Sequence, residues 1–163
     1  MKILFVCSSN ICRSPYCEFV FKRMCDNDPE LAKHITWIQS GAVFHQCKKL
    51  HPKAKAALMA ENFTPEELDG HSPAFWRKFP ERFEEADVII GMTRWHKYFI
   101  RKRWRSKYID LAEAATGTYT PVPDPFLAKT QEKYNEVMRV LDKYLALIAK
   151  KIKDGTFQMP SSL

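Results

Sequence analysis

The first residues of the chain constrain its fold most. The apolar run Lys2 to Val6 breaks into Cys7-Ser8-Ser9-Asn10-Ile11-Cys12-Arg13-Ser14-Pro15, and Tyr16, Phe19, Val20 and Met24 then recur at helical spacing. A run of this kind passing through a short polar loop into a helix is a strand-loop-helix unit. It turns several loop N–H groups toward one point, and the helix N-terminus adds partial positive charge there. Such a loop favours an anion, either a thiolate at Cys7 or a bound oxyanion.

Cys7 and Arg13 bracket five residues of this loop. Cysteine attacks as its thiolate, and a planar guanidinium can place two donors on a tetrahedral phosphate. The Ser14 hydroxyl can donate to the Cys7 sulfur as thiolate or leaving group. Ser14 also suits the helix N-cap and Pro15 the first helical position, where a missing N–H costs nothing. Ser8, Ser9, Asn10, Ile11, Cys12, Arg13 and Ser14 are thus expected to hold a phosphoryl group over Cys7.

A thiol nucleophile cannot protonate the leaving oxygen of a phosphate ester, so an acid must stand opposite it. Pro121-Val122-Pro123-Asp124-Pro125-Phe126 sets one carboxylate among three prolines, which hold a loop at low entropic cost. Asp124 is the candidate acid.

The remaining segments read as strand (Lys2 to Val6), helix (Pro15 to Cys25), strand (Ile35 to Gln39), helix (Pro52 to Glu61), strand (Val88 to Gly91), helix (Arg94 to Arg101), short strand (Lys107 to Asp110) and helix (Gln131 to Ile152). Alternating strands and helices predict a single-domain, three-layer α/β fold, with a central four-stranded parallel sheet and helices on both faces. The phosphate loop follows the first strand, at the carboxyl end where such sheets bind ligands. The last helix carries one apolar face of Tyr134, Val137, Met138, Leu141, Tyr144, Leu145, Ile148 and Ile152, and Gly155 marks its end. The domain is read as residues 1–155, with 156–163 a frayed tail. At 163 residues and 45% hydrophobic content, one core is affordable and a second domain has no room.

The segment Val6 to Pro15 resembles the N-terminal signature of the low-molecular-weight protein tyrosine phosphatases, Val-Cys-x-Gly-Asn-x-Cys-Arg-Ser-Pro. It departs only at Ser9, where glycine is usual. Serine there strains the loop if positive φ is required and is tolerated otherwise. The resemblance implies Cys7 as nucleophile, Arg13 as phosphate ligand and Asp124 as general acid and base, with no metal or organic cofactor. It implies support of the loop by Ser14, Asn10 and His71, the last through hydrogen bonds to Asn10 or its neighbours. Thr93 stands where the family usually has an acid pairing with that histidine, and Ala74 where it has an arginine. Leu127 follows Phe126 where animal members carry tyrosines, so regulation by phosphorylation of tyrosines there is not expected.

For substrate choice, the resemblance assigns Ile11 to tyrosine phosphatases, since arginine phosphatases of the family carry threonine there. No cysteine follows Cys47, so the disulfide relay of related arsenate reductases is missing. Phe44 and His45, in a loop shorter than the family's usual one, are expected to wall the cleft together with Ile11 and Phe126. Cys12, five residues from Cys7, is expected to pair with it on oxidation, as in family members. Cys17, Cys25 and Cys47 read as structural or incidental. The reading is a phosphotyrosine phosphatase, with an arginine phosphatase or a weakly catalytic phosphotyrosine-binding protein as alternatives.

The net charge of +7 and the run Arg101-Lys102-Arg103-Trp104-Arg105 pose the question of nucleic acid. The run reads more simply as the solvated end of a helix, and basic charge also steers anionic phosphopeptides. No nucleic-acid partner is expected. Five cysteines, an odd number, argue against a secreted disulfide framework. With no signal peptide and no apolar stretch long enough to span a bilayer, a cytoplasmic monomer acting on phosphotyrosine-containing proteins is expected.

Overall fold

The computed structural model describes residues 1–161. The strands β1 (Lys2–Cys7), β2 (Trp37–Ala42), β3 (Val88–Gly91) and β4 (Tyr108–Asp110) form one sheet in the order β2-β1-β3-β4. Every pairing is parallel, with Lys2 opposite Trp37, Ile3 opposite Val88 and Ile89 opposite Tyr108. The chain steps from β1 to one side and returns to the other, so β1 lies at the point where the strand order reverses. Side-chain alternation sends Ile3 and Phe5 into one core, and Leu4 and Val6 into another on the opposite face. The predicted three-layer α/β architecture is what forms.

The first face is covered by α1 (Arg13–Asn27) and α7 (Gln131–Asp154). Helix α7 is capped by Thr130, whose side chain accepts from the Lys133 amide, and ends at Gly155 with φ of 76°. Tyr134, Met138, Leu141, Leu145, Ile148 and Ile152 of its apolar face are all buried. Two short helices, α2 (Pro29–Ala32) and α3 (Pro52–Ala60), complete this side, with α4 (Pro65–Asp69) beyond α3. The second face is thinner, built from α5 (Pro80–Glu85) and two 3-10 turns, Arg94–Phe99 and Lys102–Lys107. Helix α6 (Leu111–Thr116) follows β4 directly.

Several boundaries differ from those expected. Strand β2 runs to Ala42, because its pairing with β1 continues to Cys7 opposite Ala42. The segment after β3 is a 3-10 turn ending at Phe99, not a helix to Arg101. The basic run from Arg101 forms a 3-10 turn of its own in place of that helix end, with Arg101, Lys102 and Arg103 exposed as expected of a solvated run. Trp104 anchors it in the core, stacked on Phe83 at 5.1 Å, and Lys107 donates to the carbonyls of Phe83, Glu84 and Ala86 at the end of α5. Of the segment 156–163 read as a tail, Thr156 and Phe157 donate their amides to Lys151 O and Phe157 packs on the core. Residues 162–163 lie outside the described residues.

Candidate active site

Helix α1 begins at Arg13, its N-cap residue is Cys12, and no side chain caps it. Ser14 is therefore the second helical residue and not the cap that the sequence suggested. Its hydroxyl is engaged elsewhere, so the first helical amides keep no side-chain partner. Pro15 falls third, still within the turn that has no intrahelical acceptor.

The loop between β1 and α1 is held from outside by its carbonyls. Cys7 O accepts from the Val43 amide, Ser8 O from Phe44, and Ile11 O from His51, each at 3.0 Å. Asn10 O meets His71 Nε2 at 2.8 Å, and because a carbonyl only accepts, that nitrogen carries the hydrogen. All peptides among the described residues are trans, so each amide that follows one of these carbonyls points the opposite way. The amides of Ser8, Ser9, Ile11 and Cys12 therefore face inward, and none donates to a protein acceptor among the described bonds. They form a ring of unused donors suited to an anion.

Asn10 is the residue with positive φ, 57°, and Ser9 is not, so serine is tolerated at the position where the family prefers glycine. Asn10 is fully buried and spans the loop. Its Oδ1 accepts from the Ala74 amide at 3.1 Å, and its Nδ2 donates to Ser14 Oγ at 2.9 Å. Ser14 Oγ, already an acceptor, lies 3.0 Å from Cys7 Sγ and 3.5 Å from Gly41 O. Its hydrogen is best placed on sulfur, which makes a chain of donors ending at Cys7.

Arg13 is buried, and Nη1 donates to Val122 O at 2.9 Å. Its Nη2 lies 3.5 Å from Asp124 Oδ2, while its buried Nε has no protein partner. Asp124 Oδ1 accepts from the Phe126 amide at 3.0 Å, which fixes the carboxylate on the proline-bounded loop. Together Cys7, Ser8, Ser9, Ile11, Cys12, Arg13, His45, Cys47, Asp124 and Phe126 line a cleft of about 350 Å³. A larger cavity of about 650 Å³ lies against β4 and contains none of the loop residues.

Of the expected cleft residues, Ile11, His45 and Phe126 line it and Phe44 does not. The Phe44 ring turns outward, edge-on to Phe99 at 5.1 Å and 57% exposed. The Phe44 amide bonds Ser8 O, and it is the neighbouring side chain, His45, that lines the cleft and meets Ser9 Oγ at 3.1 Å. His71 has its partner in Asn10 O, with Glu18 as the nearby charge that favours protonation, while Thr93 gives its carbonyl to Tyr108 and to the His96 amide. Burial holds His71 below the usual histidine range. Burial likewise pushes the Cys12 thiol up to about 12.

Three participants escaped the sequence reading. Cys47 lines the cleft, Val122 contributes only a carbonyl, and His96 bonds Ser8 from behind the loop. A backbone carbonyl leaves no trace in side-chain chemistry, and His96 stood in a basic stretch with nothing to single it out. Among the described residues, no group of three or more His, Cys, Asp or Glu side chains is arranged to hold a metal ion. No helix among them is long and apolar enough to cross a membrane.

Residues 2–156 match the family described as low molecular weight phosphotyrosine protein phosphatase. The chain is 30% identical to a protein-arginine-phosphatase of Bacillus subtilis, covering 94% of this chain and 97% of that one. It is 26% identical to a low molecular weight protein-tyrosine-phosphatase, PtpB, of Staphylococcus epidermidis, over 88% and 96% of the two chains. Among solved structures, a cysteine-to-serine mutant of the YwlE arginine phosphatase with its active-site serine phosphorylated superposes with a TM-score of 0.81 at 30% identity, over 94% of this chain and 96% of that one. A low molecular weight protein tyrosine phosphatase from Bacillus subtilis superposes with a TM-score of 0.77 at 30% identity, over 94% and 98%.

Proposed function

The chain belongs to the low molecular weight phosphotyrosine protein phosphatase family, and on that premise we propose that it hydrolyses phosphotyrosine in proteins through a cysteinyl-phosphate at Cys7. Cys7 Sγ attacks phosphorus in line while Arg13 and the inward amides of the loop hold the three non-bridging oxygens. The P–O bond to the phenol breaks, and Asp124 gives its proton to the leaving oxygen. Asp124, now a carboxylate, takes a proton from water as that water attacks the cysteinyl-phosphate. Sulfur then leaves as a thiolate, stabilised by the Ser14 hydroxyl. Each step uses side chains and backbone of this chain.

The observation that carries this reading is the placement of Asp124. Its carboxylate sits 3.5 Å from the buried guanidinium of Arg13, on the open side of a loop whose sulfur is bonded from behind by Ser14. A phosphate held by Arg13 and the amides would lie between nucleophile and acid. Ile11 and Phe126 give the cleft apolar walls suited to an aryl group. Cys7, Cys12, Cys17, Cys25 and Cys47 are all free thiols, in keeping with a reducing cytoplasm and with phosphotyrosine-containing proteins there as substrates.

A second reading, hydrolysis of phosphoarginine, draws on the Bacillus relative at 30% identity. Ile11 weighs against it, because an apolar side chain offers no acceptor to a guanidinium. The deciding experiment compares an aryl phosphate, a phosphotyrosyl peptide and a phosphoarginine substrate with wild type, Cys7→Ser and Asp124→Ala. Preferred turnover of phosphotyrosine, abolished by the first variant and strongly slowed by the second, supports the main reading. Preferred phosphoarginine turnover overturns it in favour of the second. Binding without turnover of any substrate marks a phosphotyrosine-binding protein.

A further inference from the structure

We propose that His96 is a positioning residue for the phosphate loop: it donates from Nε2 to the Ser8 hydroxyl, so that Ser8 in turn donates to an oxygen of the phosphoryl group held over Cys7. The proposal rests on the phosphate-binding reading of the loop given above.

His96 lies in the 3-10 turn after β3 and is 5% exposed. Its Nδ1 faces the Met92 amide at 3.3 Å. An amide only donates, so Nδ1 carries no hydrogen and the neutral ring holds it on Nε2. Nε2 lies 3.1 Å from Ser8 Oγ. Burial, and then the charge of Arg13, hold the imidazole down to about 3, so the ring is neutral throughout the physiological range. A neutral donor suits this place, because a second cation would be repelled by Arg13.

The bond from His96 occupies one lone pair of Ser8 Oγ and leaves its hydrogen free. No protein group accepts that hydrogen among the described bonds, and Ser8 lines the cleft beside Cys7. A phosphoryl oxygen is the acceptor that the cleft receives. The support is continuous with that of Arg13. Met92, whose amide fixes His96, accepts from the Val122 amide at 3.0 Å, and Val122 O in turn holds Arg13. On the exposed side of the same loop His45 also meets Ser9 Oγ at 3.1 Å, but no second bond fixes its tautomer.

The test measures binding of inorganic phosphate by NMR titration, independently of turnover, for wild type, Ser8→Ala, His96→Asn, His96→Gln and the Ser8→Ala/His96→Asn double variant. Asparagine keeps an acceptor for the Met92 amide but falls short of Ser8, and glutamine restores a donor at the reach of Nε2. Ser8→Ala and His96→Asn are each expected to weaken phosphate binding by about 5- to 10-fold. The double variant is expected to bind no more weakly than either, and His96→Gln to recover most of the loss. With an aryl phosphate the same variants are expected to raise KM more than they lower kcat. Wild-type affinity in a folded His96→Asn, or losses that multiply in the double variant, would overturn the relay. Failure of the wild type to bind phosphate would instead sink the loop reading and the proposal with it.

Discussion

Arg13 and Asp124 meet at 3.5 Å with opposite surroundings, the arginine side chain 4% exposed and the aspartate 56%. The arginine is held by Val122 O whether or not the aspartate is charged. The carboxylate is the partner that a phosphate dianion must approach, and its charge opposes that anion. Asp124→Asn is therefore expected to bind inorganic phosphate several-fold more tightly than wild type while losing about 100- to 1,000-fold in kcat for aryl phosphates. Isothermal titration alongside steady-state kinetics checks both, and equal loss of binding and turnover would contradict the assignment.

Asn10 combines a left-handed backbone with two buried side-chain bonds. Asn10→Gly keeps the backbone freedom and loses the bonds, whereas Asn10→Ala loses the bonds and adds strain of about 1–2 kcal/mol. The expected order of melting temperatures is wild type, then Gly, then Ala. Leaving Ser14 and the Ala74 amide without Asn10 should cost about 1–3 kcal/mol in both variants. An alanine variant as stable as the glycine one would show that φ at Asn10 carries no strain.

Gly91, at the end of β3, faces the Tyr108 ring so closely that an added Cβ would lie 1.9 Å from the hydroxyl oxygen and 2.4 Å from the ring carbon bearing it. That hydroxyl bonds Thr93 O and contacts Asp110, so the ring has little freedom to withdraw. Gly91→Ala is expected to destabilise by about 2–4 kcal/mol, in the range of overpacked cores and beyond. Tyr108→Ala in the same chain should recover part of the loss. Chemical denaturation of the single and double variants tests this.

Acid stability follows from His96, His71 and Asp110. Both histidines have lowered values in the fold, His96 to about 3, so the unfolded chain binds more protons below its ordinary histidine value. Their contribution is complete above about pH 6.5 and is lost as pH falls, at about 1.4 kcal/mol per pH unit for each histidine not yet protonated in the fold. Asp110 works in the other direction. Burial, and then Glu113, raise it to about 6, so between about pH 6 and 4 the fold binds its proton first and gains stability on acidification. His96→Gln should therefore flatten the decline of stability from pH 6.5 to 4, and Asp110→Asn should steepen it. Urea unfolding across that range measures both slopes.

The Cys12 thiol is 4% exposed and pushed up to about 12 by burial. Attack on an oxidised Cys7 requires its thiolate, so closure of a Cys7–Cys12 disulfide after peroxide treatment should be slow at pH 7 and accelerate with rising pH. Non-reducing peptide mapping over time distinguishes this from a pH-independent rate.

What the sequence revealed and what it concealed divide along a physical line. The strand-loop-helix, the apolar stripe of α7 and the proline-framed Asp124 are local patterns, readable from spacing and turn chemistry, and the parallel sheet follows from their alternation. The support of the loop is not local. Val43, Phe44 and His51 reach it by backbone amides, Val122 by a carbonyl, and His96 by a side chain 88 residues from Ser8. Backbone groups are present at every position and therefore mark none. Ser14 departs from its expected capping role for a related reason: a serine before a helical proline has cap chemistry, but only the folded site shows its hydroxyl committed to Cys7 and Asn10. Helix α6 leaves no mark in the sequence because its first residue follows the last of β4 without a loop, and such a junction has no punctuation.

The tie between Arg13 and Val122 spans 109 residues, so the guanidinium is held in place only when the loop that carries Val122 and Asp124 has docked on α1. An anion bound at Arg13 would report the docked chain and act as a thermodynamic latch on it. Added during refolding, it draws the population toward the docked chain in proportion to the logarithm of its concentration, without touching any intermediate that lacks the tie.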